Sequence, residues 1–215
     1  MIAPDGFKLI IYTAIAFVLL VLATYFYPVL ILKILSVLLG IVFVFNFYFF
    51  RDPERTIPSD PDLILSPADG TVVLIEDVDE PYYFKQKVRR VSIFLSVFNV
   101  HVNRIPVAGK VEFLKYIKGK FLVAFADKAS EENEQSAIGI RHEKGKILFK
   151  QIAGIIARRI VFHLEEGQAV NAGDRFGLIR YGSRVDMFFP DNVEINVKLQ
   201  DKVVGGETII GKFKE

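Results

Sequence analysis

The chain has 215 residues, of which 52% are hydrophobic, 13% aromatic and 24% charged, and its mean hydropathy is +0.35. The 27 Lys and Arg nearly balance the 25 Asp and Glu, which argues against a nucleic-acid binder because that class needs a basic surface. Cysteine is absent, which excludes disulfides, thiolate nucleophiles, cysteine-based zinc sites and iron–sulfur clusters. Acid–base chemistry must therefore use carboxylates or the three histidines, His101, His142 and His163.

The apolar excess is confined to the first fifty residues. Their charged residues are Asp5, Lys8 and Lys33. Two uncharged runs, 9–32 and 34–50, make up most of this segment. Because a helix needs about 20 apolar residues to cross a bilayer, the two runs provide for roughly one crossing each.

Pro28 divides the apolar segment. It lacks a backbone N–H, which favours a break in the helix at that point. We therefore predict a membrane-anchoring helical hairpin, with a first helix over about 9–27 and a second over about 30–50. This hairpin forms a first domain, 1–50, and the rest of the chain, 51–215, forms a second.

The flanking charges predict the orientation of the hairpin. Lys8 precedes the first helix, whereas Arg51 and Arg55 follow the second. The positive-inside rule then places both ends, and the second domain, on the cytoplasmic side of the cell membrane. A cleaved signal peptide and an anchor lying in the membrane plane are the alternative interpretations.

The second domain is predicted to be mostly β within an α+β chain. Short runs rich in Val, Ile and Phe alternate with Gly, Pro, Asp and Asn, as is typical of a β-sandwich-like domain. Residues 56–70 are rich in turn formers, and the polar segment 128–136 is interpreted as a loop or a short solvated helix. The candidate strands are 71–76, 88–97, 107–116, 121–125, 137–141, 147–152, 155–163, 175–180, 185–189, 193–199 and 208–210.

A weak internal repeat appears near the C-terminus. Residues 167–177 and 200–211 both carry Val, then Gly and an acidic residue three positions later, then a further Gly. This pattern resembles the hairpins of lipoyl/biotinyl-type sandwiches, in which such glycines adopt positive φ. Two unrelated β-turns are the alternative interpretation.

Three short motifs contain candidate catalytic residues. Gly182 and Ser183 interrupt two strand-like runs, Asp69 lies in the turn Ser-Pro-Ala-Asp-Gly, and His101 lies in a β-rich segment. Each has an ordinary structural explanation when it is taken alone. The Gly-Ser pair is typical of a turn, Asp69 can cap its own turn, and His101 can bond to the backbone inside a core.

Taken together, the motifs resemble the phosphatidylserine decarboxylase proenzymes of the short type. An apolar hairpin ending in RDPER is followed by SPADG, LSVFNVHVNRIPVAG, SEENEQ and YGSRVDMFFP, and the resemblance covers nearly the whole chain. It implies that the precursor cuts itself between Gly182 and Ser183. The products are a large chain, 1–182, and a small chain, 183–215, that stay together as a heterodimer and can associate further.

The resemblance also implies the cofactor and the reaction. Ser183 becomes a covalent pyruvoyl group, so neither a metal nor a diffusible cofactor is required. Phosphatidylserine is decarboxylated through a Schiff base with this group, which gives phosphatidylethanolamine and CO2 for phospholipid biosynthesis. An archaetidylserine decarboxylase and a non-catalytic, membrane-anchored β-sandwich adaptor are the alternative functions.

The family pattern assigns a Ser–His–Asp arrangement to self-cleavage, and Ser183 and Asp69 match it. Longer members carry two histidines in this segment, whereas here His101 is followed by Arg104. Either His101 serves both self-cleavage and decarboxylation, or self-cleavage uses a different base. His101 is our preferred candidate for both.

One further segment, 81–90, combines three aromatic residues with four cations. Tyr and Phe side chains suit a membrane interface, and Lys and Arg suit anionic lipids. The segment therefore predicts either a lipid-facing surface or an exposed loop that leads into an edge strand.

Overall fold

The computed structural model describes residues 1–119, 133–154, 160–180 and 183–214. By its internal contacts the chain divides into two compact units, Met1–Glu54 and Arg55–Glu215.

The first unit is built from two apolar helices, α1 (Phe7–Phe26) and α2 (Leu30–Phe49). Pro28 lies in the short connection between them, so the predicted hairpin is confirmed. Each helix is long and apolar enough to cross a membrane.

Polar side chains join the two helices at two levels. The hydroxyl groups of Thr24 and Ser36 lie 3.0 Å apart, and the Nδ2 of Asn46 donates a hydrogen bond of 3.2 Å to the Oγ1 of Thr13. Hydrogen bonds of this kind hold helices together in lipid, where an unpaired polar group is costly. The surface that the hairpin exposes is consequently almost entirely apolar.

The described part of the second unit contains fourteen strands, which confirms the mostly β prediction. Their bounds are β1 (Leu63–Leu65), β2 (Gly70–Glu80), β3 (Gln86–Leu95), β4 (Val102–Arg104), β5 (Gly109–Ile117), β6 (Gln135–His142), β7 (Gly145–Ala153), β8 (Ile160–Phe162), β9 (Ala169–Val170), β10 (Arg175–Ile179), β11 (Ser183–Phe189), β12 (Val193–Ile195), β13 (Lys202–Val203) and β14 (Ile209–Phe213). Eight of them form one sheet in the order β13-β2-β3-β11-β7-β6-β5-β9. The other six form two three-stranded sheets, β1-β14-β12 and β4-β10-β8.

The long strands and the short strands β8 and β12 overlap predicted runs, whereas four other short strands do not. Strands β1, β4, β9 and β13 were not predicted, because two or three residues are too few to display a period of two. The polar segment 128–136 was also interpreted wrongly at its end, since Gln135 and Ser136 begin β6 and are buried. The candidate strand 121–125 lies outside the described residues.

The strands form two interleaved repeats of seven. The inner repeat comprises β4–β10, and the outer repeat comprises β1–β3 together with β11–β14. Taken in chain order, β4–β10 correspond to β1, β2, β3, β11, β12, β13 and β14. The sheet β4-β10-β8 therefore corresponds to the sheet β1-β14-β12. When each strand of the eight-stranded sheet is exchanged for its counterpart, the same strand order results, read from the opposite edge.

Residue-level register supports this correspondence. Gly70 begins β2 as Gly109 begins β5, and each strand carries a bulge at the same distance from that glycine. A Cβ on Gly70 would collide with the carbonyl oxygen of Phe94, and one on Gly109 would collide with that of Arg141. Both glycines are therefore required by the same close approach of a neighbouring strand.

The C-terminal sequence repeat belongs to the same duplication. Gly173 and Gly206 have φ values of +82° and +80°, and Gly167 and Gln200 occupy equivalent left-handed positions at +88° and +72°. Positive φ is thus confirmed for Gly167, Gly173 and Gly206, whereas the last glycine of each half, Gly177 and Gly211, does not have it. The assignment to the lipoyl/biotinyl class of sandwich stays a prediction.

The inner repeat is inserted into the outer one between β3 and β11. In the inner repeat, β6 and β7 are joined by a tight turn from His142 to Gly145. In the outer repeat, the corresponding strands are separated by the whole of residues 96–182. Ser183 therefore occupies the position that Gly145 has in the inner repeat.

Strand β11 alternates between two very different environments. Its residues Val185, Met187 and Phe189 belong to the main hydrophobic core, on the same face as Ser183. On the opposite face, the Nε of Arg184 lies 2.9 Å from the Oδ1 of Asp186, and its Nη2 donates a hydrogen bond of 3.2 Å to Oδ2. Both charged residues are buried.

This opposite face holds further buried charges. Arg90 lies 3.7 Å from Asp186 and also pairs with Glu76, while Lys150 lies 3.8 Å from Glu80. Burial lowers the pKa of the Lys150 ammonium below its ordinary 10.5, although Glu80 and Asp186 oppose the shift. Asp186 is thus a counter-ion shared by two guanidinium groups in a water-poor environment.

We predict that Asp186→Asn lowers the free energy of unfolding by about 3 kcal/mol, because it leaves two guanidinium groups without this buried counter-ion. Urea unfolding of the full chain in detergent, followed by circular dichroism, measures the change. Asp191→Asn is the matched control, since Asp191 is exposed and its replacement should cost less than about 0.5 kcal/mol. Equal unfolding midpoints for the two variants would contradict the prediction.

Candidate active site

Ser183 begins the central strand at the point where the chain leaves the inner repeat. Its backbone pairs with Leu95 of β3 on one side and with Ala153 of β7 on the other. The position of its Cα is therefore fixed by antiparallel ladders on both sides.

The side chain of Ser183 is fully buried, and its hydroxyl has no hydrogen-bond partner among the described residues. Buried hydroxyl groups are normally satisfied, and among the described residues those of Ser92 and Ser183 are not. Ser183 differs from Ser92 in standing at the start of its strand. A serine that is consumed during maturation fits this environment, because a ketone that replaces it needs no donor. Gly182, the other half of the predicted cleavage site, lies outside the described residues.

His101 is buried in the connection that enters the inner repeat, just before β4. Its Nδ1 lies 3.0 Å from the backbone carbonyl oxygen of Asn99. Because a carbonyl oxygen can only accept, Nδ1 carries the proton, so Nε2 is the basic nitrogen whenever the ring is neutral. The ring is thereby oriented as a base through Nε2.

The loop that presents His101 is stabilised by Asn99. The Oδ1 of Asn99 accepts hydrogen bonds from the backbone N–H of Ser96 (2.9 Å) and from its hydroxyl (2.8 Å). The backbone N–H of Asn99 also donates a hydrogen bond of 3.0 Å to the carbonyl oxygen of Ser96, so a hydrogen-bonded turn restricts the loop between β3 and β4. The carbonyl group that orients His101 therefore belongs to a preorganised turn.

Asp69 lies in the turn between β1 and β2. Both of its carboxylate oxygens lie 2.9 Å from the Nη2 of Arg55, and Oδ1 also accepts a hydrogen bond of 2.8 Å from the backbone N–H of Gly205. Arg55 comes from the RDPER motif and lies 3.9 Å from Glu207 as well. Sequence reasoning missed Arg55 as a site residue, because nothing in its spacing shows that it reaches a turn fourteen residues away.

The side chains of His101 and Asp69 thus have different partners, and the hydroxyl of Ser183 has none among the described residues. His101 is oriented by the Asn99 carbonyl, and Asp69 is held by Arg55 and Gly205. Asp69 and His101 share no described hydrogen bond. Arg104, which stands where longer family members have a second histidine, is buried and donates a hydrogen bond of 3.0 Å to the Gly173 carbonyl.

The remaining histidines are in structural positions. The ring of His142 stacks on Phe213 with centroids 4.8 Å apart, and its Nδ1 accepts a hydrogen bond from the backbone of Lys144. His163 is exposed next to the end of β8.

A chain of buried polar side chains runs beneath the site. The hydroxyl of Ser136 donates a hydrogen bond of 2.7 Å to the Oε1 of Gln151, whose Nε2 donates one of 2.8 Å to the Oδ1 of Asn103. The Nδ2 of Asn103 lies 3.5 Å from the carbonyl oxygen of Pro67, which also accepts a bond of 2.9 Å from the backbone of Arg104. None of these side chains was singled out from the sequence.

Comparison of the two repeats by strand register singles out two of them, Asn103 and Gln151. By strand register, Asn103 corresponds to Ile64 and Gln151 corresponds to Phe189. In the same way, Asp69 corresponds to Ala108, counted from the paired glycines. Three polar residues around the site therefore replace apolar residues of the other repeat.

The aromatic and basic segment 81–90 is only partly available to a ligand. Glu80 accepts hydrogen bonds from the backbone N–H groups of residues 82–84 and so fixes the tip of the β2–β3 hairpin. Arg89 pairs with Asp77, and Arg90 is part of the buried charge cluster. Lys85 and Lys87 are exposed.

Known proteins resemble the chain over most of its length. The family model described as phosphatidylserine decarboxylase matches residues 42–211. A phosphatidylserine decarboxylase proenzyme of Cytophaga hutchinsonii is 44% identical over 216 residues, which covers 99% of this chain and 98% of the relative. A protein of the same name from Wolbachia sp. subsp. Brugia malayi is 54% identical over 173 residues, which covers 78% of this chain and 75% of the relative.

A third relative, the phosphatidylserine decarboxylase proenzyme of Chlorobium phaeobacteroides strain BS1, is 42% identical and is matched over the full length of both chains. The family model covers the site motifs around Asp69, His101 and Ser183. With this coverage and these identities, the chain belongs to the phosphatidylserine decarboxylase family.

Proposed function

We propose that this protein is a self-processing, pyruvoyl-dependent phosphatidylserine decarboxylase that forms phosphatidylethanolamine and CO2. The observation that carries the proposal is the buried hydroxyl of Ser183 at the start of the central strand, which has no hydrogen-bond partner among the described residues, in a chain of this family. Relatives named as proenzymes support a maturation step.

In the proposed maturation, the Ser183 hydroxyl attacks the carbonyl carbon of Gly182. The Nε2 of His101 accepts the hydroxyl proton, and the peptide C–N bond breaks as the amine leaves, so an ester replaces the amide. Elimination from the ester releases chain 1–182 as a carboxylate and leaves a dehydroalanine. Water then replaces its nitrogen, which departs as ammonia, and the ketone of the pyruvoyl group remains at position 183.

The ketone supplies the electron sink that loss of CO2 from an amino acid requires. The residues around it supply binding, proton transfer and exclusion of water. His101 is buried with its ring oriented, and we assign to it the protonation of the substrate carbon after CO2 has left. Strands β3 and β7 hold the chain end at position 183 in place.

The lipid substrate accounts for the apolar hairpin. We assign α1 and α2 to the cell membrane, with the catalytic unit on the cytoplasmic side, as the positions of Lys8 and Arg51 favour. Chains 1–182 and 183–215 remain associated, because the small chain contributes β11–β14 to two of the sheets.

Ser183→Ala should abolish both cleavage and CO2 release, because the attacking oxygen is gone. Intact mass measurement of the purified chain and CO2 release from phosphatidylserine vesicles provide the two readouts. Ser59→Ala, at an exposed serine, should cleave and turn over normally. A wild-type chain that stays uncut when folded would overturn the proposal and favour the adaptor alternative.

His101→Ala should slow self-cleavage by at least about 100-fold, because the hydroxyl proton loses its acceptor. The rate is followed on gels after cell-free synthesis. His163→Ala, at an exposed histidine, is the control and should cleave at the wild-type rate. Normal cleavage of the His101 variant would transfer the role of base to another residue.

Arg55→Gln should slow self-cleavage by at least roughly tenfold and should match Asp69→Asn, because either change removes the charged hydrogen bonds that fix the turn. The double variant should be no slower than either single variant. Multiplied effects in the double variant would show that the two side chains act independently.

A further inference from the structure

The buried polar chain beneath the site links β6 and β7, which are paired neighbours in the large sheet, to β4 of a small sheet. Ser136 lies on β6, Gln151 on β7 and Asn103 on β4, and all three side chains are fully buried. Their hydrogen bonds of 2.7 and 2.8 Å lead from the middle of the large sheet to the small sheet that follows His101.

Gln151 and Asn103 are not needed to form the fold. The outer repeat uses Ile64 in place of Asn103 and Phe189 in place of Gln151, and both apolar residues are fully buried. Burying an amide costs free energy unless every hydrogen bond is made, so apolar residues are the simpler solution for a core. The inner repeat instead buries polar amides, and it does so on the face of the large sheet that also carries the Ser183 side chain.

The positions of Gln151 and Asn103 relative to the site suggest a reason. Gln151 is two residues before Ala153, the cross-strand neighbour of Ser183, and therefore lies on the same face of the sheet as Ser183. Asn103 is two residues after His101. A single hydrogen bond thus ties the segment that carries His101 to the strand that flanks Ser183.

We propose that Gln151 and Asn103 are positioning residues, which set the His101 segment against Ser183 for self-cleavage and turnover. This inference rests on the proposed function of Ser183 and His101. Neither amide touches a reacting atom, and both act through the placement of β4. The amide nitrogen of Asn103 lies 3.5 Å from the carbonyl oxygen of Pro67, in the segment that leads into the turn with Asp69.

Positioning of this kind has a large effect on rate, since a misplacement of about 1 Å can cost roughly 100-fold. An apolar pair packs without a preferred direction, whereas an amide-to-amide hydrogen bond fixes both distance and orientation. The inner repeat therefore fixes the position of β4 relative to β7, whereas the outer repeat has no such hydrogen bond at β1.

The test separates stability from positioning with an all-apolar variant of the full chain. Gln151→Leu alone leaves Asn103 and Ser136 with lost partners and should lower the melting temperature. The triple variant Ser136→Ala, Gln151→Leu, Asn103→Leu removes all three polar groups together, so its melting temperature should recover toward that of the wild type. Ser92→Ala, equally buried on the opposite face, is the control.

We expect the triple variant to self-cleave at least tenfold more slowly than the wild type despite its recovered melting temperature. Its matured fraction should show a lower kcat with an unchanged KM for phosphatidylserine vesicles, whereas Ser92→Ala should match the wild type in both. A stable triple variant with wild-type cleavage and kcat would overturn the inference while leaving the proposed function intact.

Gln151→Glu covers the case in which the triple variant does not fold. It keeps the volume and the acceptor for Ser136 but loses the donor to Asn103, so slower cleavage at a near-native melting temperature supports the inference. Wild-type cleavage by this variant would contradict it. Failure of the wild-type chain itself to cleave would instead refute the proposed function.

Discussion

The insertion of one repeat into the other is the constraint on which the rest of the second unit depends. It turns what is a two-residue hairpin turn at His142–Gly145 into an excursion of nearly ninety residues between β3 and β11. His101 lies near the point where the chain enters this excursion, and Ser183 lies where it leaves. Because β3 and β11 remain paired, the two ends of the excursion are held together.

The same pairing explains how the chain can be cut at Ser183 without losing its centre. Strand β11 is hydrogen-bonded on both sides, carries core side chains on one face and places Arg184 and Asp186 in a buried ion pair on the other. The β11 residues that make these contacts all lie downstream of the proposed cleavage site, whereas their ladder partners on β3 and β7 lie upstream. The hydrogen bonds, the core side chains and the ion pair of β11 therefore all oppose fraying of the chain end that cleavage would create at Ser183.

The sequence predicted those elements that have a regular hydrophobic pattern or a long run without charges. The helical hairpin followed from uncharged length and Pro28, and the long strands followed from their Val, Ile and Phe content. The sequence did not reveal the partner of Asp69, since the contact with Arg55 depends on tertiary folding. It also did not reveal Ser136 and Gln151, whose polarity suggests exposure although each satisfies the other inside the core.

Cleavage also has a consequence for the reversibility of folding. Residues 183–215 supply β11–β14, so the outer repeat of the proposed mature protein is divided between two polypeptides. The precursor assembles that repeat as an intramolecular reaction, with its strands linked by one chain. Once the link is cut, reassembly becomes a second-order encounter with an entropic penalty that the precursor never meets. After denaturation, the proposed mature protein would therefore refold less readily than its precursor, because its two chains must first find each other.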